Sequence, residues 1–156
     1  MSQMAVVNAE LIAHFEKYGA RVRTLAEPLS NQQFWAKPYP YGNSFGHLVL
    51  HLTGNLSYYI GTQIAGTGYV RDRPREFADE HPPSKAEALT HFEAAVAMTI
   101  DTVARQSVAD WSAAYEGVNA PGCDTRFAIV LQCASHLHHH VGQMIYLQKE
   151  WAAQSS

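Results

Sequence analysis

Cysteine and long apolar runs are scarce in this 156-residue sequence, and their scarcity excludes several classes of protein. No apolar run approaches the roughly 20 residues that a membrane-spanning helix needs, so no contact with a membrane is predicted. The N-terminus lacks the cationic and apolar regions of a signal peptide, and we therefore expect a cytoplasmic protein. Two cysteines are too few for a disulfide framework, and both are expected to be reduced.

Clustered charge and nucleotide-binding motifs are missing as well. The net charge is −3, and acidic and basic residues are interspersed, so no basic surface for nucleic acid is predicted. The sequence has no P-loop, no glycine-rich turn after a strand and no nucleophile elbow. Alternation of apolar and polar residues is also absent, which excludes a fold built mainly on a sheet.

Apolar periodicity, by contrast, is strong. Apolar residues make up 47% of the chain and charged residues 16%, which indicates one folded domain over residues 1–156. Steps of three and four between apolar residues predict an all-α four-helix bundle. Ser44 and Ser84 read as helix caps, the second as part of a capping box with Glu87. The four predicted helices cover residues 4–27, 44–63, 84–106 and 124–152.

The connections between these helices contain proline and glycine. Residues 38–43 (PYPYGN) cannot be helical. Residues 64–83 are predicted to form a long connection that is too irregular for a helix. Its arginines 71, 73 and 75 are either solvated or, if the connection folds over a site, placed to meet an anionic ligand. The third connection ends in GVNAPG at 117–122, which breaks the helix and allows a short hairpin.

The first and last helices differ in the width of their apolar faces. The first has a single stripe, formed by Met4, Val7, Leu11, Phe15, Tyr18, Val22 and Leu25. The last has apolar residues over more than half of its circumference: Phe127, Val130, Leu131, Ala134, Leu137, Val141, Met144, Ile145 and Leu147. So wide a face predicts a central helix or a homodimer, and Trp151 adds to it. Gly142, unfavourable in a helix interior, suggests that another backbone approaches closely.

Four of the nine histidines fall within five residues of the last helix. His136 and His140 are four residues apart and lie on one helical face, where two imidazoles can bind one divalent ion. This spacing is common by accident, so a third ligand is needed to make it a site. His47 and His51 of the second helix are the candidates, and His51 points nearer the core, with Asn55 between it and the apolar face.

Three residues near His136 and His140 are not assigned to the metal site. His139 points away from the apolar face. His138 points into it, either as a hydrogen-bonded core residue or as a contact between helices. Cys133 is a soft metal ligand, a redox residue or a small buried filler, and the filler is favoured.

The stretch 43–55 (NSFGHLVLHLTGN), followed by 136–143 (HLHHHVGQ), resembles the DinB/YfiT-like superfamily, and the resemblance extends over nearly the whole chain. It implies a four-helix bundle, commonly dimeric, with a divalent metal held by His51, His136 and His140. Relatives include bacillithiol- or mycothiol-dependent S-transferases and a mycothiol-dependent maleylpyruvate isomerase. Many relatives have a basic residue immediately before the Gly-Gln pair, where this sequence has Val141.

Three neutral imidazoles leave a coordination position open, which is typical of a catalytic metal. We therefore expect a metal-dependent enzyme that activates a low-molecular-weight thiol for S-transfer, or water for hydrolysis, with a small-molecule substrate. Zinc or nickel is expected, with iron or manganese as alternatives. Asn55, Tyr58 and Gln143 are predicted to line the pocket for substrate or thiol.

The alternative is a non-catalytic, metal-stabilised dimeric bundle that acts as a binding or stress-response module. One feature favours it, because no general base lies near the histidines in the sequence. The acidic residues Asp110, Glu116 and Asp124 of the third connection are candidates for a role behind the metal ligands.

Overall fold

The computed structural model describes residues 3–78 and 81–154, with side chains from residue 5 onward. Four long helical elements form the fold, and three short helices lie in the connections. The long elements are α1 (Gln3–Ala26), α3 (Phe45–Leu56), which continues as a π-helix (Ser57–Ala65), α5 (Lys85–Ala104) and α7 (Arg126–Gln154). The short ones are α2 (Asn31–Trp35), α4 (Arg75–Ala78) and α6 (Val108–Ser112).

The long helices pack as a bundle, in which α1 and α3 each contact both α5 and α7. Within the described ranges, β pairing is limited to one isolated bridge between Ala114 and Thr125. The predicted all-α class is confirmed. In the third connection, where the sequence allowed a short hairpin, the structure has this single bridge. None of the described helices is both long and apolar enough to cross a membrane.

Serine caps set the starts of most helices. Ser44 and Ser84 each accept a hydrogen bond from the backbone three residues on and complete a capping box, as predicted for Ser84. Ser30 and Ser107 do the same for the short helices α2 and α6. Sequence analysis missed both short helices because five residues are too few to show helical periodicity.

The prediction that the connection 64–83 contains no helix was wrong. Helix α4 lies in it directly after Pro74, and the side chain of Asp72 accepts a hydrogen bond from the backbone N–H of Arg75 at 3.3 Å. The helix packs against α3, and Glu76 is 5% exposed there. Contact with the bundle therefore stabilises a helix that the local composition does not predict.

The core contains the predicted stripe of α1. Leu11, Phe15, Val22 and Leu25 are buried, while the side chain of Met4 lies outside the described residues. From the other helices the largest fully buried side chains are Phe34, Phe45, Leu52, Leu56, Ile60, Phe92, Ile129, Leu137 and Met144.

Of two features predicted for α7, the wide apolar face is observed and the close approach of another described backbone at Gly142 is not. Phe127 is 37% and Leu131 47% exposed, so the apolar face is wider than the core of one chain covers. A Cβ added at Gly142 would meet nothing within 4 Å, so no described backbone approaches there. The homodimer stays a prediction, which sedimentation at the 17.3 kDa mass of a single chain would contradict.

Candidate metal centre

Three imidazoles from two helices meet at one point. His51 comes from the middle of α3, and His136 and His140 come from adjacent turns of α7. The Nε2 atom of His136 lies 3.2 Å from Nε2 of His51 and 2.9 Å from Nε2 of His140. The structure therefore brings together the three histidines that the sequence singled out, with their ligand atoms within 4.8 Å of one another.

The second ring nitrogen of His51 is held by a carboxylate. Its Nδ1–H donates a hydrogen bond of 2.8 Å to Oε2 of Glu76, a residue of α4. An ionised carboxylate can only accept, so Nδ1 carries the proton and Nε2 of His51 presents a lone pair. A carboxylate behind an imidazole is the usual arrangement around histidine metal ligands, where it fixes the ring and raises its basicity.

Arg71 in turn holds Glu76. Its guanidinium donates hydrogen bonds of 2.7 Å and 3.0 Å to the two carboxylate oxygens, and both side chains are nearly buried. Burial would raise the pKa of Glu76, but the hydrogen bonds from His51 and Arg71 and the charge of Arg71 together lower it. Glu76 is therefore ionised at neutral pH, as the hydrogen bond to His51 requires.

A side-chain amide orients His140. The Nδ1–H of His140 donates a hydrogen bond of 2.7 Å to Oε1 of Gln143, one turn along α7. The amide nitrogen of Gln143 donates to Nε2 of His139 at 3.3 Å, and His139 itself is exposed. Like His51, His140 thus carries its proton on Nδ1 and directs the lone pair of Nε2 at the cluster.

Hydrogen bonds alone do not satisfy the ring nitrogens of His136 and the two lone pairs that face it. Its Nε2–H could donate to one of the two neighbouring lone pairs only, and its buried Nδ1 has no partner among the described residues. Two nitrogens bound to one tetrahedral zinc ion at about 2.0–2.1 Å lie about 3.3 Å apart. The observed 3.2 Å and 2.9 Å are close to that separation, so the donor set fits a divalent cation.

His136 and His140 are neutral near physiological pH, because the pKa of each is well below its ordinary value. Burial and the neighbouring imidazoles lower the pKa of His136 to about 3. Burial also lowers the pKa of His140 to about 4, although its hydrogen bond with Gln143 opposes the shift. Neutral imidazole is the form that binds a metal ion, so protons compete weakly for these two nitrogens.

A cavity of about 820 Å³ opens beside the cluster. Two of the histidines line it together with residues that are mostly polar or aromatic. The full lining is His51, Asn55, Tyr58, Tyr59, Thr62, Tyr69, Val70, Arg71, Arg73, Asn119, Ile129, Gln132, Cys133 and His136. Asn55 and Tyr58 thus line the cavity, whereas Gln143 lines a separate groove that includes Tyr39. The role of all three in binding a cofactor stays a prediction.

Cys133 also lies in this wall but is not a reactive thiol. It is 1% exposed, and burial raises its pKa to about 12. A thiol held in the protonated form is a poor nucleophile and a poor ligand, which supports its interpretation as a small filler.

Glu76, and the role of Arg71 in holding it, were not predicted from the sequence. Both residues lie in the connection whose charges were assigned mainly to solvent, and 25 residues separate Glu76 from His51. The carboxylates proposed for this role lie elsewhere, and Asp110 accepts hydrogen bonds from Ser107 at the start of α6. One signal was available, because Arg71 was predicted to approach the site if the connection folded over it.

The remaining histidines near the cluster have structural contacts. His47 completes the cap of α3, where its Nδ1 accepts a hydrogen bond of 3.3 Å from the backbone N–H of Ser44. His138 is exposed and packs on Tyr18 of α1, with 4.5 Å between the ring centroids. Of the two interpretations of His138, the contact between helices is the one observed.

Comparison with known proteins gives a family and a fold. Residues 14–144 match the DinB superfamily. A crystal structure of a conserved protein from Enterococcus faecalis superposes with a TM-score of 0.75 at 16% identity, covering 92% of this chain and 96% of that one. At that identity the likeness shows the fold alone. No curated protein matches the chain.

Proposed function

The chain belongs to the DinB superfamily, and on that premise we propose that it is a metal-dependent enzyme with His51, His136 and His140 as ligands of one divalent ion. The observation that carries the proposal is the convergence of three Nε2 atoms, two of which are fixed as lone-pair donors by Glu76 and Gln143. Zinc or nickel suits three neutral imidazoles best.

A divalent ion in such a site acidifies a bound thiol or water near neutral pH. We therefore propose S-transfer from a low-molecular-weight thiol to a small electrophile, or hydrolysis, as the reaction. The chain's own residues would bind the metal ion and orient the imidazole rings that hold it. Glu76 and Arg71 keep the ring of His51 in place, and Gln143 does the same for His140.

The cavity favours catalysis over the non-catalytic alternative. His51 and His136 belong both to the cluster and to the wall of a space of about 820 Å³, so a small molecule in that space contacts the imidazoles. A purely structural metal site is usually closed by four protein ligands, and the described residues offer three.

The test is a comparison of zinc- or nickel-loaded protein with protein stripped by a chelator. Conjugation of bacillithiol or 2-mercaptoethanol to 1-chloro-2,4-dinitrobenzene reports S-transfer, and p-nitrophenyl acetate reports hydrolysis. We expect one of these rates to depend on the metal, to be lost in His136→Ala and to be kept in His139→Ala. Metal-loaded protein at the background rate in both assays would favour the non-catalytic bundle.

A further inference from the structure

The charged side chains that line the cavity, among the residues the structure describes, are both arginines. Among the described residues, no aspartate or glutamate lines it, whereas Arg71 and Arg73 do. Arg71 is engaged with Glu76, but no carboxylate of a described residue lies within ion-pair distance of Arg73. The cavity therefore has an uncompensated cation at its wall, and such a field attracts anions.

Arg73 is close to the cluster. Its guanidinium carbon lies 5.9 Å from the centroid of the Phe77 ring, which lies 5.0 Å from the ring centroid of His51. One aromatic ring thus separates the guanidinium from a proposed metal ligand. His51 and Arg73 both line the cavity, so one small molecule bound in it can contact both.

Asn55 is a second polar group without a partner. It follows His51 by one helical turn, lines the cavity and is 8% exposed. Its buried Oδ1 accepts no hydrogen bond, and its side chain donates none to a described residue. A buried amide without partners is unfavourable in the free protein, and a polar ligand in the cavity would supply the missing hydrogen bond.

Part of the cavity wall is aromatic, and two hydrogen bonds hold this part in place. Tyr59 donates a hydrogen bond of 3.0 Å to the carbonyl of Asn119. Thr62 donates one of 2.6 Å to the carbonyl of Tyr69, which ties the segment after the π-helix to the helix itself. The cavity wall thus includes aromatic rings, one of them held by its hydroxyl group, and such rings suit the carbon skeleton of a small molecule.

We propose that this cavity binds a small organic acid, with its carboxylate on Arg73, a polar group on Asn55 and its reactive end at the histidine cluster. The placement of the reactive end rests on the proposed function. The carboxylate belongs either to the thiol or to the molecule that the thiol attacks. In both cases the carboxylate would pair with the guanidinium of Arg73.

Titration calorimetry with three probes tests the proposal: 3-mercaptopropionate, 2-mercaptoethanol and succinate. We expect zinc-loaded protein to bind 3-mercaptopropionate about tenfold more tightly than 2-mercaptoethanol, the factor expected for one charge-assisted hydrogen bond. Arg73→Gln should remove this preference and leave 2-mercaptoethanol unaffected. Arg21→Gln, a change at an exposed arginine of α1, is the matched control and should alter neither.

Succinate and metal-free protein separate this proposal from the proposed function. If zinc does not bind, the proposed function fails, yet succinate should still bind wild type more tightly than Arg73→Gln. In zinc-loaded protein, tighter binding of the thiol acid than of succinate assigns the carboxylate to the thiol, and the reverse assigns it to the other substrate. A preference for acids that survives in Arg73→Gln would overturn the proposal, as would no preference in wild type.

Asn55→Leu supplies an independent test. Because the side chain of Asn55 has no hydrogen bond to a described residue, the leucine variant should unfold at the same or a higher temperature while binding 3-mercaptopropionate more weakly. A variant that is less stable and binds the probe as wild type does would show a structural role and contradict the assignment.

Discussion

At the scale of single residues, Glu76 is the group on which the geometry of His51 depends. It fixes the tautomer of that ring, and it is itself held by two hydrogen bonds from Arg71. Helical spacing was enough to predict that His136 and His140 share a face and that His51 is directed inward. Spacing could not reveal Glu76, because a contact across an irregular connection depends on the path of the backbone.

Glu76→Gln keeps the size of the side chain but removes its charge. Loss of the carboxylate weakens the basicity and the orientation of His51, so zinc affinity should fall about 10- to 100-fold. Competition with a chromophoric chelator measures this change. Glu16→Gln, at an exposed position of α1, should bind zinc as wild type does. Equal affinity in all three proteins would show that Glu76 does not support the site.

The lowered pKa values of His136 and His140 predict how the metal-free protein responds to acid. Below the ordinary value of 6.5 the unfolded chain takes up protons that the folded chain, with pKa values of about 3 and 4, does not. The free energy of unfolding should therefore decrease as the pH falls from about 6.5 towards 4. Urea unfolding at several pH values measures it. In His136→Asn/His140→Asn the decrease should be smaller, and an equally steep decrease would contradict this origin.

At the scale of elements, the contact between α3 and α4 depends on a glycine. A Cβ added at Gly54 would overlap Oε1 of Glu76 and lie 3.3 Å from Nε of Arg71. Helix α4 can therefore bring its carboxylate to His51 only because α3 has no side chain at that position.

Gly54→Ala should lower both zinc affinity and the free energy of unfolding, the latter by about 1–3 kcal/mol because the added methyl displaces Glu76. In a Glu76→Ala background the clash is gone, and the same change should be neutral or stabilise the helix by about 0.5–1 kcal/mol. Chemical unfolding of the four proteins completes this double-mutant cycle. Additive effects would mean that Gly54 and Glu76 do not interact.

Elements of different length were predictable to different degrees. The four long helices were predicted from apolar stripes that repeat over many turns, and caps such as Ser44 set their starts. The π-helix Ser57–Ala65 was predicted as ordinary helix up to residue 63, because a change from α to π hydrogen bonding leaves little trace in the apolar pattern. Its tyrosines 58 and 59 line the cavity, so the missed feature lies at the candidate site.

At the scale of the whole molecule, the candidate site exists because α3 and α7, 85 residues apart at His51 and His136, are neighbours in the bundle. The long connection after the π-helix returns over their shared side and adds Arg71, Arg73 and Glu76. The bundle was predictable from composition and periodicity. The course of the connection over α3 and α7 was not predictable, because the geometry of a loop depends on its contacts with the folded bundle.

The metal content of protein purified without a histidine tag tests the central claim most directly. After incubation with zinc and gel filtration, wild type and His139→Ala should each keep about one ion per chain, whereas His51→Ala and His140→Ala should lose most of it. His139→Ala changes an exposed histidine next to His140 and is therefore the matched control. An empty His139→Ala together with a loaded His140→Ala, or wild type without zinc, would contradict the account.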